Sequence, residues 1–171
     1  MTTGPSAGQS VNVRRVHERD DLAAAGAIVQ QAYFALPDYP RDPYYDATLG
    51  DVAARAHEAV VVVAFIGNRL VGCLTYVPDH HNPHAEFDDA KAAGFRYFGV
   101  DPSVQGKGVG EAMVRWCIHE AKRTGHRRLR IHTLASMPAA QRLYERIGFE
   151  RDPAHDEDWD GIAGLAFVLH L

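Results

Sequence analysis

Cysteine is scarce. The chain of 171 residues holds two, Cys73 and Cys117, and neither belongs to a CxxC pair. No disulfide framework can be read from that spacing. Each sits in an apolar stretch and reads as a small buried side chain, which fits a reducing cytoplasm. Long apolar runs are also missing. No stretch approaches the roughly 18 apolar residues of a transmembrane helix. The first ten residues, Met1 to Ser10, are polar and glycine-rich with no apolar core, so they do not resemble a secretory signal. They are expected to be a disordered tail, residues 1–10, ahead of a single domain over 11–171. Basic charge is not in excess. A net charge of −4 argues against nucleic acid or an anionic membrane surface as the main partner. Arg127, Arg128 and Arg130 leave room for a local basic patch. There is no internal repeat and no linker that would split the chain.

What is present is an ordinary globular composition, with 46% hydrophobic and 23% charged residues. Val11 to Val16 alternates as a strand does. Arg19 to Leu36 carries Leu22, Ala25, Ile28, Val29, Ala32 and Tyr33 at helical spacing, and Pro37 ends it. A second helix is expected within Tyr44 to Glu58. Val60 to Ile66 and Leu70 to Val77 flank Gly67-Asn68-Arg69 as an antiparallel hairpin. Asp79 to Ala93 reads as a polar loop. Phe95 to Val100 is a strand, and Val109 to Arg123 an amphipathic helix with Gly125 at its end. Arg128 to Leu134 alternates cleanly, with Leu129, Ile131 and Thr133 on one side. Met137 to Ile147 is helical and capped by Gly148. Phe149 opens another strand, and Gly161 to Leu171 forms the last. The order predicts a mixed sheet with helices on both faces, in the α/β (α+β mixed) class.

The most informative residues are Gln105-Gly106-Lys107-Gly108-Val109-Gly110, between a strand and a helix. A helix start offers unpaired backbone N–H groups and a dipole that favours negative charge. Glycines let that backbone approach an anion and adopt positive φ. Lys107 adds a cation beside it, and a pyrophosphate is the natural guest. The P-loop pattern GxxxxGK[ST] is absent, and so are G-x-G-x-x-G and repeated βαβ units, which counts against a nucleotide-binding fold of Rossmann type.

Two motifs occur in a set order. Val100-Asp101-Pro102 leads into Gln105-x-x-Gly108-x-Gly110, and roughly thirty residues later comes Ala140-x-x-Leu143-Tyr144-x-x-x-Gly148-Phe149. Together they resemble the GNAT superfamily of acetyl-CoA-dependent N-acetyltransferases. The likeness is strongest from Phe95 to Phe149, and the element order extends it over Val11 to Leu171. It implies a GNAT-like fold: a central mixed, mostly antiparallel sheet of about six to seven strands with helices on both faces. It also implies that the chain is an acyltransferase in which an amine attacks the thioester of acetyl-CoA directly, in a ternary complex. Carried over, Phe98, Gly99 and Val100 would offer main-chain contacts to the pantetheine arm. Gln105, Gly106, Lys107, Gly108, Val109 and Gly110 would hold the pyrophosphate, and the helix with Met137, Ala140 and Tyr144 would flank the coenzyme. Many members place an Asn near the start of that helix, where this chain has Met137.

Tyr144 matches the tyrosine that the family uses as acid toward the departing thiolate; on its own it also reads as a core aromatic. Where several members carry a glutamate base, this chain has Gly94-Phe95. The candidates left for the base are Glu86 upstream, the histidines His80, His81 and His84, or a water relay. No second His pair or Cys completes a zinc pattern around those histidines, and no metal is expected. Asp156-Glu157-Asp158 with Trp159 reads either as a site for a cationic acceptor or as a solvated loop. Tyr33, Tyr39, Tyr44 and Tyr45 are expected on the acceptor side. The expected partner is a small-molecule amine; a homodimer stays open. A protein or peptide N-acetyltransferase and a non-catalytic acyl-CoA sensor are the alternative readings.

Overall fold

A computed structural model describes residues 9–171. The expected tail over 1–10 therefore lies outside the described residues, save for Gln9 and Ser10. The elements are β1 (Val11–Arg15), α1 (Leu22–Phe34), α2 (Pro43–Gly50), α3 (Val52–Glu58), β2 (Val60–Ile66), β3 (Arg69–Val77), β4 (Ala92–Val100), α4 (Val109–Arg123), β5 (Arg128–Leu134), α5 (Pro138–Ile147), β6 (Glu150–Arg151), β7 (Glu157–Trp159) and β8 (Ile162–His170). The eight strands make one sheet in the order β1-β2-β3-β4-β5-β8-β6, with β7 also paired to β8. Every pairing is antiparallel except β4 with β5.

Two cores sandwich the sheet. On one face Ala25 and Val29 of α1, Leu49 of α2 and Val52 of α3 pack on Val61, Val63, Cys73 and Tyr97. On the other, Met113 and Cys117 of α4 and Tyr144 of α5 pack on Val62, Val71, Leu74, Phe95 and Phe167. Met113 is fully buried, which contributes about 1.5–3 kcal/mol. Gly72 gives it room, since a Cβ there would stand 2.6 Å from its sulfur. Both cysteines are buried free thiols. No helix among the described residues is long and apolar enough to cross a membrane.

Three expectations change in detail. The single helix over Tyr44 to Glu58 is two helices, because Asp51 ends α2 and caps α3 by accepting from the Ala54 N–H at 3.1 Å. β4 begins at Ala92 rather than Phe95, where it pairs with β5. Glu157–Trp159 is not a loop but a strand, and it raises the count from six or seven strands to eight. Its turn is Asp160-Gly161, with φ of 53° and 89°. Asp-Gly is the preferred pair for a two-residue hairpin that needs positive φ at both positions.

β4 and β5 pair only at Ala92–Arg128 and Ala93–Leu129, and then they part. At Gly94 they are still close: a Cβ there would lie 2.4 Å from the Arg130 carbonyl oxygen. Beyond it the β5 side of β4, out to Val100, has no strand partner. β4 is also bulged. Thr75 of β3 faces Arg96 and Cys73 faces Gly99, so Tyr97 and Phe98 together oppose Leu74. Tyr97 takes φ 51°, unusual for a bulky residue. The parting of the strands and the bulge together create the site.

Candidate active site

A cavity of about 590 Å³ opens where the two strands separate. Phe95, Arg96, Tyr97 and Phe98, four residues in a row, all line it. A regular strand would send alternate side chains to opposite faces; the bulge breaks that alternation. His132, Thr133 and Leu134 line it from β5, and Met137, Ala140 and Tyr144 from α5. The segment from α1 into α2 adds Tyr33, Tyr39 and Tyr45, and the β7–β8 hairpin adds Trp159. The tyrosines are locked. Tyr33 meets Tyr39 edge-on at 5.9 Å between centroids, and the Tyr39 hydroxyl donates to Asp46 at 3.0 Å. Tyr44, expected with them, instead points outward and is 88% exposed.

Two residues of the cavity carry charge in an aromatic setting. Arg96 Nε lies 2.8 Å from Glu86 Oε1, but not at a hydrogen-bonding angle, so the pair is held by charge. Burial opposes the Arg96 charge, yet Glu86 and the phenols of Tyr97 and Tyr45 outweigh it and raise its pKa. Burial raises the phenols of Tyr33, Tyr45 and Tyr97, so they stand as neutral donors. Tyr144 is both things the sequence allowed. It packs with Phe95, Phe149 and Phe167 at 5.6–6.0 Å, and it faces the cavity. Burial pushes its pKa well above the usual phenol value, which keeps the proton on.

The glycine turn leads into α4 as its pattern predicts. Gly106 and Gly108 hold φ of 79° and 80°, and a Cβ on either would meet nothing within 4 Å. Gly108 is the cap residue of α4, and no side chain fills the helix start. Gln105 to Gly108 are exposed while Val109 is buried. Gly110 packs against Leu143 of α5 and Phe98 of β4. Phe98 and Val100 lie on the unpaired stretch of β4. Gly99 owes its missing side chain to packing, because a Cβ would stand 2.7 Å from the Cα of Val29 in α1. Met137 takes the cap position of α5 and makes no side-chain cap there.

Other candidates are drawn elsewhere. His84 binds Glu58 and lies 3.3 Å from the Tyr97 hydroxyl, and His80 stacks on His81 outside the cavity. No group of three or more His, Cys, Asp or Glu side chains among the described residues is arranged to hold a metal ion. Asp156 is tied to Arg151 at 2.7 Å and to the Ala166 N–H at 2.7 Å, so it braces the hairpin. The basic patch does not form: Arg128 and Arg130 both bind Asp89, at 2.6 and 2.7 Å, and Arg130 also binds Asp152. Arg96, Tyr97 and His132 were missed. An arginine inside the apolar run Phe95-Arg96-Tyr97-Phe98 was the available signal for the first.

Comparison with known proteins agrees with this geometry. The family model described as the acetyltransferase (GNAT) family matches residues 25–149. The chain therefore belongs to the GNAT family of acyltransferases. A mycothiol acetyltransferase of Geodermatophilus obscurus is 28% identical over 151 residues. That match takes in 88% of this chain but 48% of the relative, so the chain spans about half the relative's length. A GNAT-family protein of Desulfovibrio desulfuricans shares the fold at a TM-score of 0.70, with 22% identity over 94% of this chain and 99% of that one. A Bacillus subtilis acetyltransferase solved with CoA gives 0.65, at 20% identity over 95% of this chain and 99% of that one. One from Elizabethkingia anophelis with acetyl-CoA bound gives 0.65, at 14% identity over 94% and 98%.

Proposed function

We propose that this protein moves the acetyl group of acetyl-CoA to the primary amine of a small molecule with an apolar or aromatic body. The observation that carries the reading is the cavity. It begins at the parted strands and is walled by Tyr33, Tyr39, Tyr45, Phe98 and Trp159, with a half-buried Glu86–Arg96 pair among them. Aromatic walls favour an apolar body, and a few placed polar groups orient it. The fit to the coenzyme rests on residues of this chain. The uncapped start of α4 and the positive-φ glycines suit a pyrophosphate. The open edge of β4 from Phe98 to Val100 offers backbone groups to the pantetheine amides. Neighbours of the same fold solved with CoA or acetyl-CoA support that assignment.

The chemistry then divides among few groups. The amine must lose a proton, attack the thioester carbon, and expel the thiolate. Tyr144, neutral through burial, gives its proton to the departing sulfur. Its neighbours Phe95 and Phe149 hold its ring in place. No glutamate side chain could stand at Gly94, since the Arg130 carbonyl fills that space. The base must come from elsewhere.

The test is release of free thiol from acetyl-CoA across a panel of amines and short peptides. Release with aromatic or apolar monoamines above the no-acceptor blank is expected. Release with peptides alone would move the acceptor to protein. Binding of acetyl-CoA without release would favour a sensory module, and no binding would overturn the reading of the glycine turn.

A further inference from the structure

Glu86 has one oxygen that its ion pair leaves idle. Oε1 faces Arg96, while Oε2 is buried and finds no hydrogen-bond partner among the described residues. His132 Nδ1 stands 3.5 Å from it. The His132 side chain is 7% exposed. Its Nε2 lies 2.8 Å from the His155 carbonyl oxygen, which can only accept. Nε2 therefore carries a hydrogen. In the neutral ring Nδ1 is then a lone pair, and it faces a carboxylate oxygen. Two acceptors facing each other at this distance are suited to a proton donor that reaches both. An ammonium group in the cavity supplies one.

The same two residues have a second exposure. Behind the acceptor cavity lies another, of about 500 Å³, and Glu86 and His132 line both. The two cavities differ in character. The first is walled by aromatic rings; the second by charged groups, and it reaches solvent at the exposed residues Asp88, His155 and Glu157. The Glu86–His132 pair is the partition between them.

Resting on the acetyl-transfer reading above, we propose that Glu86 and His132 together receive the ammonium of the acceptor, and that His132 passes its proton into the second cavity. The ammonium donates to Glu86 Oε2 and His132 Nδ1. One N–H proton moves to Nδ1, leaving a nitrogen lone pair and an imidazolium beside a carboxylate. The lone pair forms the C–N bond, the C–S bond breaks, and the thiolate takes a proton from Tyr144. The imidazolium gives its Nε2 proton to water in the second cavity, and exchange of the remaining Nδ1 proton for one on Nε2 through solvent restores the starting tautomer before the next turnover. The amine's other surplus proton re-protonates Tyr144, so one proton leaves per turnover.

The groups that face the pair from the acceptor side are Arg96 and Tyr97 of β4, Tyr33 of α1 and Tyr45 of α2. On the other side stand Asp88, Asp89, Arg130, His155, Asp156 and Glu157. Arg128 and Arg130 are paired with Asp89 and Asp152, so the imidazolium meets no unpaired arginine there.

The experiment is the pH dependence of kcat and kcat/KM for the wild type, His132→Ala and Glu86→Gln, with acetyl-CoA affinity and thermal unfolding measured alongside. His132→Ala should lose at least about 100-fold in kcat at neutral pH, keep its acetyl-CoA affinity, and regain rate as pH rises. Added imidazole, small enough for the second cavity, should restore part of that loss; a merely structural role would not respond. Glu86→Gln should raise KM for the amine and lower kcat less. Wild-type pH behaviour in His132→Ala, within about threefold, would overturn the relay. So would failure of imidazole to rescue a folded His132→Ala protein that binds acetyl-CoA. A wild type that binds acetyl-CoA but transfers to no amine would instead overturn the acetyl-transfer reading beneath the relay.

Discussion

The five helices begin in two different ways. α1, α2 and α3 each start on an aspartate whose carboxylate accepts from the first turn. Asp21 takes the Ala24 N–H at 2.9 Å, Asp42 the Tyr44 and Tyr45 N–H groups at 2.8 and 3.0 Å, and Asp51 that of Ala54 at 3.1 Å. α4 and α5 start on Gly108 and Met137 and have no side-chain cap. A cap of this kind contributes about 1 kcal/mol. The two helices that forgo it are those that follow β4 and β5, the strands that part. At α1 to α3 the helix-start donors are consumed inside the fold. At α4 they remain available to an anion from outside.

The sharpest way to break that contrast is to give α4 the cap that the others have. Gly108→Asp tolerates the left-handed backbone better than most residues and brings a carboxylate to the helix start. Acetyl-CoA affinity should fall about 1,000-fold, some 4 kcal/mol, through lost donors and like-charge repulsion. Thermal stability should stay near wild type. Calorimetric titration decides it: unchanged affinity would remove the pyrophosphate from this turn. Next in size is Tyr144→Phe on α5. It should lower kcat roughly 100-fold and leave acetyl-CoA affinity within a factor of about three. Because burial raises the Tyr144 pKa, the phenol is protonated below and through the neutral range, so it contributes no alkaline loss of rate there. Unchanged turnover would take Tyr144 out of the mechanism.

The elements legible in the sequence are those whose own residues state a period or a stop. α4 runs Val109–Arg123, as its apolar stripe predicts, and β5 alternates as Arg128 to Leu134 does. The site was legible where a local pattern carries it, in the glycine turn and the α5 motif. It was obscured where the fold breaks a local rule. Period-two logic puts Arg96 and Tyr97 on opposite faces of β4, but the bulge at Tyr97 brings both into the cavity. Alternation set His132 apart from Thr133, yet both line it. Glu86 stood among several loop acids and histidines, and only β5 laid alongside the loop distinguishes it. The β7 hairpin is the exception. Its Asp160-Gly161 turn was written in the sequence and was outweighed by the acidic run before it.

The third contrast is the reverse of the first. Asp21→Ala removes a cap from α1, far from the glycine turn in the chain. It should cost about 1 kcal/mol, a fall of roughly 2–4 °C in Tm, with acetyl-CoA affinity unchanged. If affinity fell with stability, the two kinds of helix start would not be separable.

The smallest effect concerns carboxylates that the fold has already engaged, in contrast to the idle oxygen of Glu86. Asp20 is held down to about 2 by its hydrogen bond from Arg14, and Asp156 to about 2 by that from Arg151. In the unfolded chain both titrate near the ordinary Asp value of about 3.9. A carboxylate lowered in the folded state adds stability that is complete above the unfolded value and is lost as pH falls through the folded one. The urea midpoint should therefore be flat with respect to these groups from pH 7 to about 5, and fall between about pH 4 and 2. Arg151→Gln should make that fall shallower, because Asp156 then keeps only the Ala166 N–H to hold it down. An acid limb that keeps its slope in Arg151→Gln would show that the Arg151–Asp156 pair, for all its good geometry, is solvated too well to contribute.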